Sequence, residues 1–237
     1  MATKTQLAAE LPAERASPRW GGDVLAWLLN EARYMPRSRD LLDQLCRRLV
    51  EAGLPLWRAT LAIRAIHPQI LTTGYQWYRG ADTVARDLGH DMLNDAAYLS
   101  SPFKVIHDGA GALRRRLGER DAVIDFPVLA ELRDKGVTDY VAMPITFADG
   151  TINVATWASD AAGGFSADDL GVIYDLLPVL SLILEVQANQ RNMASLLDTY
   201  LGHQAGARVL KGQIKRGDVE TLRAVIWYAD LRGFTAL

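Results

Sequence analysis

Apolar side chains between Asp40 and Ala52 return every three to four positions, at Leu41, Leu42, Leu45, Cys46, Leu49 and Val50, and Gly53 follows where a helix would be capped. The spacing predicts an amphipathic helix, preceded by another over Asp23–Tyr34. From Leu56 to Arg79 the period falls to two. Trp57, Ala59, Leu61 and Ile63 share one face, opposite Arg58, Thr60 and Arg64. After His67-Pro68 a second run groups Leu71, Thr73, Tyr75 and Trp77, which predicts a β-hairpin with one buried face. Residues 81–101 are mixed and read as a helical or loop excursion, and Phe103–His107 as a short strand. Arg114, Arg115 and Arg116 sit in a polar stretch that reads either as a solvated loop or, less simply, as a contact for an anionic ligand.

Further along, Pro127 opens a short helix, Val128–Lys135, halted by Gly136. Tyr140–Phe147 and Thr151–Trp157 form a hairpin joined at Ala148-Asp149-Gly150, Asp-Gly being a strong turn pair. Ser166 and Asp169 have the spacing of a capping box. Behind them Leu170, Ile173, Leu177, Leu180 and Leu184 step by three and four along a helix that runs to about Leu201, with Pro178 expected to kink or divide it. This order of elements predicts an α+β fold, an antiparallel sheet with helices packed on it. Over residues 170–186 the stripe fits either packing on that sheet or a coiled-coil seam. Over Val186–Leu201 it predicts a connector helix paired with its twin in a parallel homodimer.

At 237 residues and roughly 150 per domain, the chain holds one domain and something more. An apolar content of 49% excludes a disordered chain, and the lone Cys46, on the apolar stripe of its helix, excludes a disulfide scaffold and points to a reducing compartment. The net charge of -2 argues against nucleic-acid binding by the whole chain. Charge is unevenly shared: residues 201–237 carry six basic and three acidic side chains, whereas residues 1–200 are net acidic, which places a boundary near residue 200. Residues 1–19 have no apolar targeting core, and Leu170–Val186 is interrupted by Asp175, Pro178 and Glu185, so a cytoplasmic protein with no membrane partner is expected.

Near the C-terminus the apolar run Ala224–Asp230 reads as a strand delivering one carboxylate, followed at once by Leu231-Arg232-Gly233-Phe234-Thr235. A carboxylate at a strand end beside a glycine turn suits a divalent cation and phosphate oxygens. The string AVIWYADLRGFTAL resembles the first strand of class III nucleotide cyclase catalytic domains, and residues 200–218 resemble the segment that leads into them. The resemblance covers roughly residues 200–237. It implies that Asp230 and the Leu231 carbonyl bind Mg²⁺ or Mn²⁺, and that Gly233, Phe234 and Thr235 lie along the triphosphate of ATP, in a two-metal conversion to cyclic AMP. The second metal aspartate, the purine-selecting residues and the transition-state Asn/Arg pair of that family are expected beyond residue 237. The 237-residue chain is therefore expected to be inactive by itself, a truncated catalytic domain.

Residues 23–190 resemble a GAF-type sensor domain through Met143-Pro144-Ile145, the Asp149-Gly150 hairpin into INVATW, and the segment Gly164–Leu170 that opens the last helix. The two resemblances imply a flexible N-terminus over residues 1–20, a GAF-like sensor over 21–185, a connector helix over 186–201 and a cyclase segment over 202–237. Trp57, Tyr75, Trp77, Tyr78 and Trp157 either line a pocket for a small-molecule effector or fill the core. His67, His90 and His107 have no partner at ligand spacing and read as surface or internally satisfied histidines. The function expected is a regulatory sensor and dimerisation region of a nucleotide cyclase. The alternative is a self-contained GAF-like protein that binds a small molecule or haem.

Overall fold

The computed structural model describes residues 19–213, 215, 223 and 225–228. The expected flexible N-terminus lies almost wholly outside them. The chain divides into two units, Met1–Leu196 and Leu197–Leu237.

In the first unit, α1 (Arg19–Asn30) and α2 (Ser38–Glu51) precede β1 (Arg58–Arg64), β2 (Thr72–Tyr78) and β3 (Val84–Leu88). Two short helices follow, α3 (Ala96–Leu99) and α4 (Pro102–His107), then β4 (Leu113–Arg116), α5 (Pro127–Asp134), β5 (Asp139–Thr146) and β6 (Ile152–Ser159). The long helix α6 starts at Ala167 and continues to Leu201. The six strands form one antiparallel sheet in the order β3-β2-β1-β6-β5-β4. This is the α+β class expected from the sequence: an antiparallel sheet flanked by helices, with a long helix at its C-terminal side.

Strand alternation sends the two faces of the sheet to different cores. Ala59, Leu61 and Ile63 of β1, Tyr75 and Trp77 of β2 and Trp157 of β6 join α1, α2 and the buried side of α6 in the larger core. Tyr140 and Ala142 of β5 and Val154 and Ala158 of β6 face the other way, onto Ile106 of α4 and Leu129 and Leu132 of α5. The predicted turn is present: Asp149 Oδ1 accepts from the Thr151 amide at 2.8 Å, and Gly150 has φ +85°. The capping box is present as well. Ser166 Oγ accepts from the Asp169 amide at 3.1 Å and Asp169 Oδ2 from the Ser166 amide at 2.9 Å.

Four expectations change. Phe103–His107 is helix α4, not a strand, because Ser101 caps it and Pro102 is preset for a first turn. Residues 81–101 contain the edge strand β3 besides helical turns. Arg114–Arg116 belong to strand β4 and each is paired: Arg114 with Asp139, Arg115 with Asp125, Arg116 with Glu119. Pro178 does not divide α6. It lacks the donor for the Tyr174 carbonyl, but both residues lie on the exposed side, while Ile173, Leu176, Leu177 and Leu180 hold the helix in the core.

The stripe Ile173, Leu177, Leu180 and Leu184 is buried in the protein's own core. The opposite side of α6 leaves Tyr174, Leu182, Val186, Met193 and Leu196 exposed. Beyond Val186 the helix is still anchored. Gln187 accepts from the Ser38 hydroxyl at 2.7 Å and donates to the Met35 carbonyl at 2.7 Å, Arg191 donates to the Tyr75 hydroxyl, and Asn192 Oδ1 accepts from the Ile66 amide at 2.9 Å.

In the second unit, Gly202 separates the last turn of α6 from α7 (His203–Leu210), and His203 Nδ1 lies 3.1 Å from Asp198 Oδ2. Val225–Tyr228, expected as a strand, carry no strand pairing and are at least 85% exposed. A strand exists only through its neighbours, and none pairs with this run among the described residues. No helix among the described residues is long and apolar enough to cross a membrane.

Candidate functional site

A cavity of about 550 Å³ lies on the face of β1–β3 that does not pack on α6. Its floor follows from register. Ala62 of β1 stands opposite Gly74 of β2, which stands opposite Arg86 of β3, so the middle of the floor is built from two of the smallest residues. Arg58 and Thr60 extend the floor along β1, and Thr72 and Leu88 close its other end. The roof is Met92, Tyr98, Phe103 and His107, from the segment running through α3 and α4, with Val128 and the exposed Glu131 of α5 at the side. Most residues from Leu93 to Ala97 are exposed, so this roof rests lightly on the sheet.

Polar groups converge here without filling one another's bonding capacity. Tyr98 Oη lies 3.0 Å from His107 Nδ1, which leaves His107 Nε2 buried and without a partner. Thr60 Oγ1 is likewise buried and unpartnered. Burial lowers the His107 pKa below its ordinary value of 6.5, and the nearby Arg64 charge lowers it further, so the ring is held neutral. Arg58 lies over the Tyr78 ring at 5.4 Å and, with the Gln76 amide oxygen turned towards it, donates through Nε at 3.1 Å. The Arg86 guanidinium has no hydrogen bond or ion pair among the described residues. Such a set can hold a small molecule and orient it by hydrogen bonds and charge.

Strand β2 connects this cavity with α6. Gly74 faces the cavity, while its neighbour Tyr75 faces the other way and takes the Arg191 hydrogen bond from α6. A smaller cavity of about 350 Å³ lies on that side, between the β1–β2 turn and α6, lined by Ile66, Thr73, Tyr75, Arg191 and Asn192 among others.

Of the aromatic residues singled out in the sequence, Tyr75, Trp77 and Trp157 lie in the larger core, and Tyr75 also lines the smaller cavity. Trp57 and Tyr78 are half-buried and meet edge to face at 5.2 Å. None of the five lines the larger cavity. His67 serves the β1–β2 turn, its Nδ1 accepting from the Gln69 amide at 3.0 Å and the Ile70 amide at 3.1 Å, and His90 Nε2 lies 3.1 Å from the His67 carbonyl. Among the described residues no cluster of three His, Cys, Asp or Glu side chains could hold a metal ion. Asp230, Leu231, Gly233, Phe234 and Thr235 lie outside the described residues. Arg58, Thr60, Gly74 and Arg86 were not singled out in the sequence. Arg58 and Thr60 were marked only as the polar half of an alternating strand, and Gly74 and Arg86 carried no signal of their own.

No known family profile matches the chain, and no curated protein matches it in sequence. Among solved structures it is similar to the GAF domain of a phosphoenolpyruvate-protein phosphotransferase from Coxiella burnetii, at 13% identity and TM-score 0.49, over 74% of this chain and 98% of that one. It is similar to the phycocyanobilin-bound GAF domain of a cyanobacterial phytochrome, at 14% identity and TM-score 0.49, over 72% and 96%. It is also similar to the free methionine-R-sulfoxide reductase of Neisseria meningitidis, at 15% identity and TM-score 0.48, over 76% and 96%. These likenesses are to GAF domains and to an enzyme.

Proposed function

We propose that residues 21–196 are a GAF-like sensor that takes a small-molecule effector in the 550 Å³ cavity and reports its occupancy through α6. The observation that carries this reading is β2, whose Gly74 floors the cavity while the adjacent Tyr75 is bonded to Arg191 of α6. An effector that moves β2 moves the anchorage of α6 with it. The exposed apolar side of α6 is the surface through which two copies pair, in a cytoplasmic homodimer. Residues 202–237, through their resemblance to the start of a class III cyclase domain, make ATP conversion to cyclic AMP with Mg²⁺ or Mn²⁺ the output of the parent enzyme, with Asp230 and Leu231 at the metal and Gly233, Phe234 and Thr235 at the phosphates. Light scattering tests the pairing. Twice the 26.1 kDa of one chain is expected, and a monomer at tens of micromolar overturns it.

A second reading is a self-contained haem-binding protein. His107 favours it, since Tyr98 fixes one ring nitrogen and the other is unpartnered in a residue lining the cavity. The absorbance spectrum after haem titration separates the two: a Soret band lost in His107→Ala supports haem, and its absence removes this reading.

A further inference from the structure

Six arginines among the described residues pair with carboxylates. Arg37 pairs with Asp40, Arg47 with Asp43, Arg79 with Asp160, and the three of β4 with Asp139, Asp125 and Glu119. The cavity face is different. Strand alternation puts Arg58, Arg64 and Arg86 on the same side of β1 and β3, and none of them has an ion pair among the described residues. Two acids also border the cavity: Asp95, whose carboxylate accepts from the Ala97 amide at 2.9 Å, and Glu131, at the exposed rim. The apolar part of the lining comes from Leu88, Met92, Phe103 and Val128. Between them, Ala62 and Gly74 leave the depth for a ring or a short chain.

We propose that the cavity recognises a small organic anion, a carboxylate or a phosphate monoester. Arg86 and Arg58 take its charged end, and its apolar body packs between the β2 floor and the roof formed by Met92 and Phe103. Thr60 Oγ1 and the neutral His107 supply a hydroxyl and a ring nitrogen to a polar substituent of the same ligand. A guanidinium is suited to either anion because its donors form a planar fork. The proposal rests on the effector reading above and adds to it the chemical class of the effector.

Isothermal titration of the 237-residue chain with naphthoate and naphthyl phosphate, each against its uncharged analogue (naphthamide and naphthalenemethanol), tests it. The anions are expected to bind about tenfold tighter than the neutral pair, as one charge-assisted contact provides. The tighter of the two identifies which anion the site prefers. Arg86→Gln, an exposed position, should bring the anions down to the neutral level and leave the neutral pair unchanged. Gly74→Leu, with its fold verified by circular dichroism, should abolish all binding by filling the floor. If Gly74→Leu abolishes binding while charge and Arg86→Gln make no difference, the cavity is a ligand site but the anion proposal fails. If Gly74→Leu leaves binding untouched, the effector reading fails with it. No binding of either anion at millimolar concentration also overturns the proposal.

Discussion

Arg114 and Asp139 form a two-pronged ion pair, Nη2 to Oδ2 at 2.6 Å and Nε to Oδ1 at 3.2 Å, in which the Asp139 side chain is 1% exposed. The same carboxylate accepts from the Phe165 amide at 3.0 Å, and the same guanidinium donates to the Phe165 carbonyl at 2.7 Å. The pair thus ties β4 and β5 to the segment that enters α6. Arg114→Met leaves a buried carboxylate with the Phe165 amide alone and should cost about 3 kcal/mol of stability. Arg116→Met, at an exposed pair two positions further along the backbone, should cost no more than ~0.5 kcal/mol. Urea denaturation of the two variants checks the contrast.

Gly164 makes the approach of that segment to Asp139 possible. Its φ is +64°, and an added Cβ would fall 2.6 Å from Asp139 Oδ2 and 2.7 Å from Asp139 Cβ. Gly164→Ala therefore combines backbone strain with a collision and should destabilise by about 2–3 kcal/mol. Gly150→Ala, at φ +85° but in open space, carries the strain alone, about 1 kcal/mol. Thermal midpoints of the two variants should fall in that order.

His107 makes stability depend on pH. Its pKa is lowered in the folded protein by burial first and then by Arg64, with Lys104 adding to the effect and Asp108 opposing it. The unfolded chain therefore binds the proton more readily. Stability is at its full value above the ordinary histidine pKa and is lost as pH falls from there towards the lowered folded value. His107→Gln should flatten the thermal midpoint as pH falls below the ordinary histidine pKa.

Cys46 is fully buried on the core side of α2, and burial, with the Asp43 charge behind it, raises its thiol pKa well above the usual value. The native protein should be inert to a thiol reagent such as dithionitrobenzoate, and urea should release one equivalent of reactive thiol at the unfolding midpoint.

The exposed side of α6 gives a direct test of pairing. Val186→Glu together with Met193→Glu should return the molar mass to that of one chain without loss of helical circular dichroism, because both side chains are half or more exposed in the single chain. A dimer that persists in this variant places the interface elsewhere.

Much of the fold was legible because period and turn chemistry agreed. β1 and β2 alternate cleanly, and Asp149-Gly150 and Ser166-x-x-Asp169 mark a turn and a helix start by hydrogen bonds made within three residues. β4 was hidden because three successive arginines erase alternation, and what makes them a strand is β5 and carboxylates up to 25 residues away. α4 was mistaken for a strand because Val105 and Ile106 are β-branched, although Ser101-Pro102 signalled a helix start. The cavity escaped notice for a related reason. Arg58, Thr60 and Arg86 look like a solvent face until residues 92–107 are seen to cover them, and the aromatic residues that drew attention point largely into the opposite core.

The back-to-back placement of Gly74 and Tyr75 bears on how this gene can change. Substitutions on either face of β2 alter one compartment at a time. Loss of a single codon between Thr72 and Tyr78 would instead exchange the compartments, turning tyrosine and tryptophan towards the cavity and glycine and glutamine towards the core. Drift in what the cavity accepts is therefore open to point mutation and closed to insertion or deletion in this strand, and length variation among descendants should collect instead in the turn from Ala65 to Leu71.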